Sequence, residues 1–407
     1  MVNIPFSLAD YLFSALCVSA VFYLYYYIRY MAGVQRRVRH YTHKRFRWKP
    51  KPADEQTDGS EPATHTGEAR PGVSVIVCAR NEAYNLQNYL QALCSQKYPL
   101  FEVIVVNDGS EDNTQTVLEH STQLFRNLRL TFVPGNALVR SSKKLALTLA
   151  AKAAKYDYLL LTDADCRPES PLWIEQMMQG FRNPQTEVVL GYGGYFEEHG
   201  LLNRLIQFDT VTSAMTYLGF ALSGHPYMGV GRNLAYKKET FFRNNGFAGL
   251  LAHQAGDDDL FVNKVATRSN TEVVITPDSF TWSVPKHSYH DWRIQKTRHL
   301  SVSPDYKLSS KIRLAAEPVM RGLLYLLCIA ISVLAAQGMV PITLCYYAWG
   351  LFLARLIWLI ALTGRAAHIF KVHSFGLVTL LFDIFLPLFH LFTLAKHAVR
   401  GKKEYQW

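Results

Sequence analysis

Between residues 73 and 165 the chain alternates short apolar runs with longer stretches that have helical character. The runs are VSVIVCA, FEVIVVN, LRLTFV and YDYLLLTD. A continuous apolar run of this length is typical of a parallel strand that is covered on both faces. The stretches between them, about 83–96, 113–125 and SKKLALTLAAKAA, favour helices, and Asp112 is positioned to cap the second. The pattern predicts a doubly wound, mostly parallel α/β sheet.

Four longer apolar segments flank this region, near 8–28, 319–337, 341–362 and 374–395. Each is long enough to cross the hydrocarbon core of a bilayer as a helix. The first segment has no basic residues before it and no small-residue cleavage site after it, which favours an anchor over a cleaved signal peptide. We therefore expect a multi-pass protein of the inner or plasma membrane.

The net charge of +11 is distributed unevenly. The segment Arg29–Lys51 holds nine Lys or Arg and no acidic residue. The positive-inside rule places the domain that follows in the cytosol. Because this segment adjoins a membrane helix, it predicts attraction to anionic membrane lipids and not to nucleic acid. Four spans would leave the basic tail outside, against the same rule, so one segment could instead be re-entrant or interfacial.

The predicted organisation follows from these patterns. It comprises an N-terminal transmembrane helix (1–30), a basic juxtamembrane segment with a flexible linker (31–71), a cytosolic α/β domain (72–305), an interfacial segment (306–320), a C-terminal region of about three transmembrane helices (321–396) and a basic tail (397–407). The linker prediction rests on 53–72, which lacks apolar periodicity. Residues 307–323 mix basic and apolar positions, so they favour a surface helix or an extension of the next span equally.

Two carboxylates, Asp163 and Asp165, stand at the end of the fourth predicted strand. Polar residues also follow the first two strands, at 80–82 and 107–108. Ligands of such sheets bind at the carboxyl ends of the strands. Crowded carboxylates repel each other unless a cation lies between them, and Asp-x-Asp offers the oxygen ligands that suit Mg²⁺ or Mn²⁺. For the pair alone, a turn cap is the alternative interpretation.

Six motifs in order, ARNE, NDGSEDNT, SKKLAL, TDAD, GDDD and QKTRH, resemble membrane-bound glycosyltransferase family 2, which includes cellulose, chitin and hyaluronan synthases. The resemblance covers about 72–305 and extends to the flanking helices. It implies a GT-A nucleotide-diphospho-sugar transferase domain flanked by transmembrane helices. It also implies a metal-dependent, inverting transfer of a sugar from a nucleotide-diphosphate sugar, most simply a uridine one, to a lipid-linked or saccharide acceptor.

The resemblance also implies roles for individual residues. Those that would bind the nucleotide sugar are Ala79, Arg80, Glu82, Asp108, Lys143, Asp163 and Arg298. Lys143 would face the diphosphate, with Lys144 as the alternative. Asp165, together with Asp163, would hold the metal that bridges the two phosphates.

The acidic run GDDDLF matches the family segment that carries the catalytic base. Sugar transfer needs a carboxylate that accepts the proton of the acceptor hydroxyl. The match makes Asp258 the base and puts Asp257 in the position of the family's glutamate. Asp259 is the third candidate, and the sequence alone does not decide among them. A solvated acidic loop or helix N-terminus is the alternative.

In QKTRH, the resemblance assigns Gln295, Arg298 and His299 to the acceptor and the leaving diphosphate. The guanidinium fork of arginine matches phosphate oxygens. His299 stands where the polymer synthases have tryptophan, which argues against processive synthesis. A processive polysaccharide synthase nevertheless remains an alternative, as do an inactive nucleotide-sugar-binding assembly subunit and a transporter. In GHPYMGVGRNLAYKK, Gly229 and Gly231 would let the backbone approach a ligand closely.

Two charged residues lie inside the predicted C-terminal spans, Arg355 and Asp383. An isolated charge at that depth costs at least about 2.5 kcal/mol. Taking the polar stretch 363–373 as the loop between the two helices, both charges lie at similar depth, and consecutive helices tend to be neighbours. The sequence therefore predicts that Arg355 and Asp383 approach each other. The alternative is that Arg355 reaches the interface while Asp383 faces a polar cavity.

Overall fold

The structure, a computed structural model, describes residues 7–43, 70–133, 142–250 and 255–400. The predicted linker falls mostly outside the described residues, as does most of the basic tail.

The helices are α1 (Leu8–Tyr26), α2 (Ala32–His43), α3 (Ala83–Cys94), α4 (Thr114–Leu124), α5 (Ser142–Ala153), α6 (Trp173–Met178), α7 (Leu201–Leu222), α8 (Lys238–Arg243), α9 (Asp259–Val265), α10 (Tyr289–Leu300), α11 (Leu308–Ala336), α12 (Ile342–Ile369) and α13 (Val378–Arg400). The strands are β1 (Val73–Ala79), β2 (Phe101–Asn107), β3 (Leu128–Phe132), β4 (Tyr158–Asp163), β5 (Cys166–Pro168), β6 (Val188–Leu190), β7 (Gly193–Tyr195), β8 (Leu234–Lys237), β9 (Thr271–Val273) and β10 (Thr281–Ser283).

The central sheet has seven strands in the order β3-β2-β1-β4-β8-β6-β9. Its first four strands are parallel, as predicted from the apolar runs. Strand β8 is antiparallel to both β4 and β6, and β5, β10 and β7 form a separate small sheet. The predicted mostly parallel α/β fold is confirmed. Its parallel half brings the ends of β1, β2 and β4 to one edge.

The apolar runs of β1, β2 and β4 are nearly continuous because each of these strands has a hydrophobic core on both faces, whereas β3 lies at the edge of the sheet and is partly exposed. In β1, Val75 and Val77 pack into one core and Ile76 packs into the other. Successive side chains of a strand point to opposite faces, so a strand that is covered twice is apolar at most positions. The buried polar exceptions Ser74 and Glu102 satisfy each other through a hydrogen bond of 2.7 Å. This packing determines the position at which each strand leaves the core and its polar residues begin.

Within the described part of the chain, four helices are long and apolar enough to cross a membrane, spanning Leu8–Arg37, Leu308–Ala336, Ile342–Ile369 and Val378–Lys396. The first of these includes α1, a π-helical turn at Tyr27–Met31, and the start of α2. These helices coincide with the four predicted apolar segments.

The predicted approach of Arg355 and Asp383 is confirmed. The two side chains form a two-point contact, with N–O distances of 2.5 and 3.0 Å. Arg321 also donates to Asp383, at 2.6 Å, and Glu317 lies 2.5 Å from Arg321 and 3.4 Å from Arg355. The aromatic ring of Tyr23 on α1 faces the guanidinium of Arg355 at 5.3 Å. We call Glu317, Arg321, Arg355 and Asp383 the charge cluster; it joins α11, α12 and α13.

One predicted boundary is wrong. The stretch 363–373 is not mainly a loop, because α12 continues to Ile369. The Thr363 hydroxyl donates to the carbonyl of Leu359 at 2.9 Å, so this polar residue is satisfied within the helix. Residues 308–320 form the first turns of α11, which agrees with the alternative that 307–323 extends the next span.

Helix α13 packs on the α/β domain as well as on the charge cluster. Phe382 meets Phe208 of α7 at a centroid distance of 5.4 Å, and Phe389 meets Trp292 of α10 at 5.0 Å. Its opposite face is apolar and exposed, with Leu388 61% exposed. One face of α13 therefore touches the domain while the other is suited to lipid.

Candidate active site

The loops after β1 and β2 are tied together at the edge of the sheet. Asn81, which adopts φ +57°, donates its amide to the Ser110 hydroxyl at 3.0 Å. Asp112 accepts the N–H groups of Thr114 at 2.9 Å and Ala83 at 3.2 Å. Asp112 thus caps the start of α4, as predicted, and also holds the first loop against the second.

The residues predicted to hold the nucleotide lie along this rim. Asp108 is buried at the end of β2 and donates its amide to the Ala79 carbonyl at 2.8 Å. Arg80 is exposed to solvent. Glu82 is half-buried, and burial raises the pKa of its carboxyl, with Asp165 and Asp163 acting in the same direction.

The Asp-x-Asp pair forms the centre of the cleft. The ligand atoms of Asp163, Asp165 and Cys166 all lie within 4.8 Å of one another. Asp165 accepts a hydrogen bond from Ser283 at 2.7 Å. Burial raises the pKa of Asp165, and the nearby Asp163 carboxylate raises it further. The two carboxylates fit the oxygen ligands of a divalent cation.

Lys143 joins the Asp-x-Asp pair to the acidic run. Its Nζ lies 2.9 Å from Asp163 and 3.4 Å from Asp257. Burial opposes the charge on Lys143, but these acids and Asp258 hold its pKa well above the usual value. For Asp163 the directions are reversed. Burial acts to raise the pKa of its carboxyl, but the charge and the hydrogen bond of Lys143 lower it below the usual value. Lys144 is fully buried and donates to the Ala255 carbonyl at 2.7 Å. This contact holds the backbone just before the acidic run.

The three aspartates of the acidic run have different surroundings. Asp258 accepts the Gly231 amide at 2.7 Å and the Asp259 amide at 2.8 Å. Burial, followed by the charge of Asp257, raises the pKa of Asp258. Asp259 is buried and accepts from the Tyr306 hydroxyl at 2.7 Å, and burial with the Asp258 charge raises its pKa to about 8. Asp257 and Asp258 therefore line the cleft, while Asp259 lies beneath it.

The two glycines predicted to approach a ligand serve other contacts. A Cβ on Gly231 would lie 3.3 Å from the Asp258 carboxylate, and the Gly231 amide binds that carboxylate. A Cβ on Gly229 would meet Leu190 and Leu234 of the core at 3.0 and 3.1 Å. Gly231 therefore supports the acidic run, and Gly229 is a packing residue.

Arg232 also lies in the cleft, although it is not among the residues predicted from the sequence. Its guanidinium stacks on the Tyr195 ring at 4.1 Å. Burial opposes its charge, but the neighbouring Tyr195, Cys166 and the two strand-end aspartates raise the pKa of its guanidinium. The available signal was its position between two residues of the glycine-rich motif, Gly231 and Asn233. Asn233 itself is fully buried and accepts from Trp173 at 3.0 Å.

Helix α10 brings the QKTRH residues to the other side of the cleft. Gln295 donates to the Tyr195 hydroxyl at 3.2 Å, and Lys296 anchors the helix through Asp209 of α7 at 2.6 Å. Arg298 acts to lower the pKa of Asp163, as Lys143 does more strongly. His299 lies on the same helix and is exposed to solvent.

This combination defines the class of protein. A parallel half that ends in an Asp-x-Asp pair, joined through an antiparallel strand to a second half that carries an acidic run, is the GT-A architecture. A mannosyltransferase from Pyrobaculum calidifontis, solved with GDP-mannose and Mn²⁺, superposes with a TM-score of 0.55 at 20% identity over 97% of this chain and 99% of its own.

Residues 74–250 match the glycosyl transferase family 2 model. The poly-β-1,6-N-acetyl-D-glucosamine synthase of Staphylococcus epidermidis is 32% identical over 123 residues, which are 30% of this chain and 28% of that protein. The probable glycosyltransferase YdaM of Bacillus subtilis is 24% identical over 56% of this chain and 54% of its own. The matches thus cover between about a quarter and about half of these relatives.

Proposed function

We propose that the protein is a membrane-bound, inverting glycosyltransferase. It moves a sugar from a nucleotide-diphosphate sugar, a uridine one, to a lipid-linked or saccharide acceptor. One observation carries the proposal: Lys143 contacts both Asp163 and Asp257. The residues suited to a metal diphosphate and those suited to a general base therefore share one cleft.

The nucleotide half follows the sheet edge. Ala79, Arg80, Glu82 and Asp108 bind the base and ribose, and Lys143 faces the diphosphate. Asp165 and Asp163 hold Mg²⁺ or Mn²⁺, which when bound neutralises charge on the departing diphosphate. Arg298, with its forked donors, contacts the same phosphates.

Asp258 is the general base. Asp257 is engaged by Lys143 at 3.4 Å and Asp259 by Tyr306 at 2.7 Å, whereas Asp258 is held by two backbone amides that fix its orientation. Its raised pKa suits a group that must accept a proton. The acceptor hydroxyl loses its proton to Asp258 as its oxygen bonds to the anomeric carbon. The bond from that carbon to the diphosphate breaks on the opposite face, which inverts the configuration.

The acceptor half lies beside the membrane helices. Helix α10 carries Gln295, Arg298 and His299, and its Trp292 packs on Phe389 of α13. An acceptor that reaches this half from the bilayer fits a lipid-linked saccharide.

The proposed topology has three spans. The domain is cytosolic after α1, the chain crosses in α11 and returns in α12, and α13 lies along the interface. The loop after α12 supports this arrangement, since Lys371 contacts Glu169 of the domain at 2.6 Å. The basic tail then remains in the cytosol, in agreement with the charge rule. A cysteine placed in the tail should be protected from a membrane-impermeant maleimide in intact cells, and labelling there would restore four spans.

Processive polymer synthesis is the second candidate, because relatives such as the S. epidermidis protein are named for it. His299 in place of tryptophan favours the transfer of one or a few sugars.

The deciding experiment is a screen of UDP-, GDP- and dTDP-sugars for hydrolysis or transfer by the purified protein with Mg²⁺ or Mn²⁺. Turnover of a UDP-sugar, lost in Asp258→Asn, is the expected result. Turnover of GDP-mannose alone would replace the uridine assignment, and no turnover of any donor with intact donor binding would favour the inactive subunit.

A further inference from the structure

Two adjoining grooves lie where α1 meets the α/β domain, far from the candidate active site. The upper groove, of about 420 Å³, is lined by Arg29, Gly33, Arg36, Arg37, Leu222 and Ser223. The lower groove, of about 490 Å³, is lined by Val21, Leu24, Tyr25, Ile28, Arg29 and Arg36. The two share Arg29 and Arg36, so a cationic mouth opens directly onto an apolar channel. We call them together the arginine groove.

The two shared arginines are held in place by backbone carbonyls. Arg29 donates to the carbonyl of Ser223 at the end of α7 at 2.8 Å. Arg36 reaches back eight residues to the carbonyl of Ile28 at 2.8 Å. Ile28 lies in the π-helical turn Tyr27–Met31, and such turns are frequent at functional sites. Both guanidiniums are therefore positioned before any ligand arrives.

The groove carries an excess of positive charge. No carboxylate among the described residues pairs with Arg29 or Arg36, whereas Arg37 contacts Glu272 at 2.7 Å. The field extends to His225 near the mouth, where burial, Arg313 and Arg29 together lower the pKa of the imidazole. An anion at the mouth would meet donors that each retain several unused N–H groups.

The lower part of the groove lies on the hydrophobic surface of α1. Val21 is 68% exposed and Leu24 is 53% exposed, in a helix long and apolar enough to span a membrane. A ligand that fits both parts has a phosphate head and a hydrocarbon tail.

The location separates this groove from the transfer site. Asp209 of α7 pairs with Lys296, next to Gln295, and Leu222 at the groove lies thirteen positions further along the same helix. At 1.5 Å per residue, the groove is about 20 Å from the acceptor half of the cleft.

We propose that the arginine groove binds one anionic phospholipid of the surrounding leaflet, with its phosphate at Arg29 and Arg36 and an acyl chain along Val21, Leu24 and Ile28. This site is independent of the proposed reaction. It makes the junction of α1, α2 and α7 a composite of protein and lipid.

Native mass spectrometry of the delipidated full-length protein tests the site, with phosphatidylglycerol and phosphatidylcholine as probes. One phosphatidylglycerol should bind in clear preference to phosphatidylcholine. Each arginine near an anionic surface contributes about a factor of five, so Arg29→Gln with Arg36→Gln should weaken phosphatidylglycerol binding about 25-fold. Arg365→Gln is the matched control, since Arg365 is exposed near the domain end of α12 and does not line the groove; it should leave binding unchanged.

The variant Arg29→Lys with Arg36→Lys keeps both charges and should keep the preference, which protects the test if the glutamine variant folds poorly. Equal binding of the two lipids, an equal loss in Arg365→Gln, or loss of preference in the lysine variant would overturn the proposal. Displacement of phosphatidylglycerol by a polyprenyl phosphate that binds more tightly would also overturn it, because the groove would then hold an acceptor lipid.

Discussion

Removing either Arg355 or Asp383 should destabilise the helical bundle, and removing both should restore part of the loss. The charge cluster contains two arginines and two acids, so it is neutral as a whole. Arg355→Leu leaves Glu317 and Asp383 to share Arg321, with one negative charge in excess. Asp383→Leu leaves one positive charge in excess. The double variant retains only the pair of Arg321 and Glu317, at 2.5 Å, and is neutral again.

The magnitude follows from burial. Arg355 and Asp383 are only 4% and 3% exposed, so neither can reach solvent when its partner is lost. Breaking a buried pair from one side costs about 3–5 kcal/mol, whereas replacing the whole pair by apolar residues is often close to neutral. Each single variant should therefore lose about 3–5 kcal/mol of unfolding free energy. The double variant should lose at least about 2 kcal/mol less than the sum of the two, within the range of measured coupling between contacting residues.

The assay is reversible unfolding in mixed micelles of dodecyl maltoside and dodecyl sulfate, followed by circular dichroism, with monodisperse yield as a second measure. Arg365→Leu, an exposed arginine on the same helix, is the control and should change the free energy by less than about 0.5 kcal/mol. Strictly additive losses in the double variant would refute the reasoning, because they would mean that the two charges do not compensate each other.

Four further predictions concern the site. Asp165→Asn should abolish transfer and weaken metal-dependent donor binding, while the thermal midpoint of unfolding changes little. Full activity of the unsubstituted protein in chelator, without added metal, would rule out the metal role of Asp165. Asp258→Asn should reduce turnover by about a hundredfold or more with donor affinity kept, whereas a collapse of affinity would make Asp258 a binding residue. The pKa of Asp259 is raised from 3.8 to about 8, so its contribution to stability is present below about pH 4 and is lost as pH rises to about 8. Asp259→Asn should therefore flatten the pH dependence of the thermal midpoint between about pH 4 and pH 8, and an unchanged pH profile would contradict the assignment. With His299, the products should carry one or a few added sugars, and a long polymer made by the purified protein would refute this.

The strands, their parallel arrangement and the convergence of polar residues at one edge were predictable from the sequence. The reason is local: a strand covered on both faces is apolar at most positions, so the end of the apolar run marks where the strand leaves the core. Asp163 ends such a run, and the structure places it at the edge of the sheet in register with Cys78 of β1. The approach of Arg355 and Asp383 was predictable for a similar reason, since a charge within an apolar helix needs a partner.

Other features depend on contacts between distant parts of the chain. Three consecutive residues, 257–259, are all aspartates, so the sequence alone cannot assign them different roles. Their environments differ because each contacts a different segment of the chain. Asp257 contacts Lys143, Asp258 accepts from Gly231, and Asp259 accepts from Tyr306.

The place of Arg232 in the cleft also depends on tertiary contacts, because its neighbours come from β7 and from the end of β4. The end of α12 could not be placed from polarity, since Thr363 satisfies its hydroxyl within the helix. Local polarity therefore shows where the chain meets water or a ligand, whereas the protonation state and role of each buried group are set by the partners that folding brings to it.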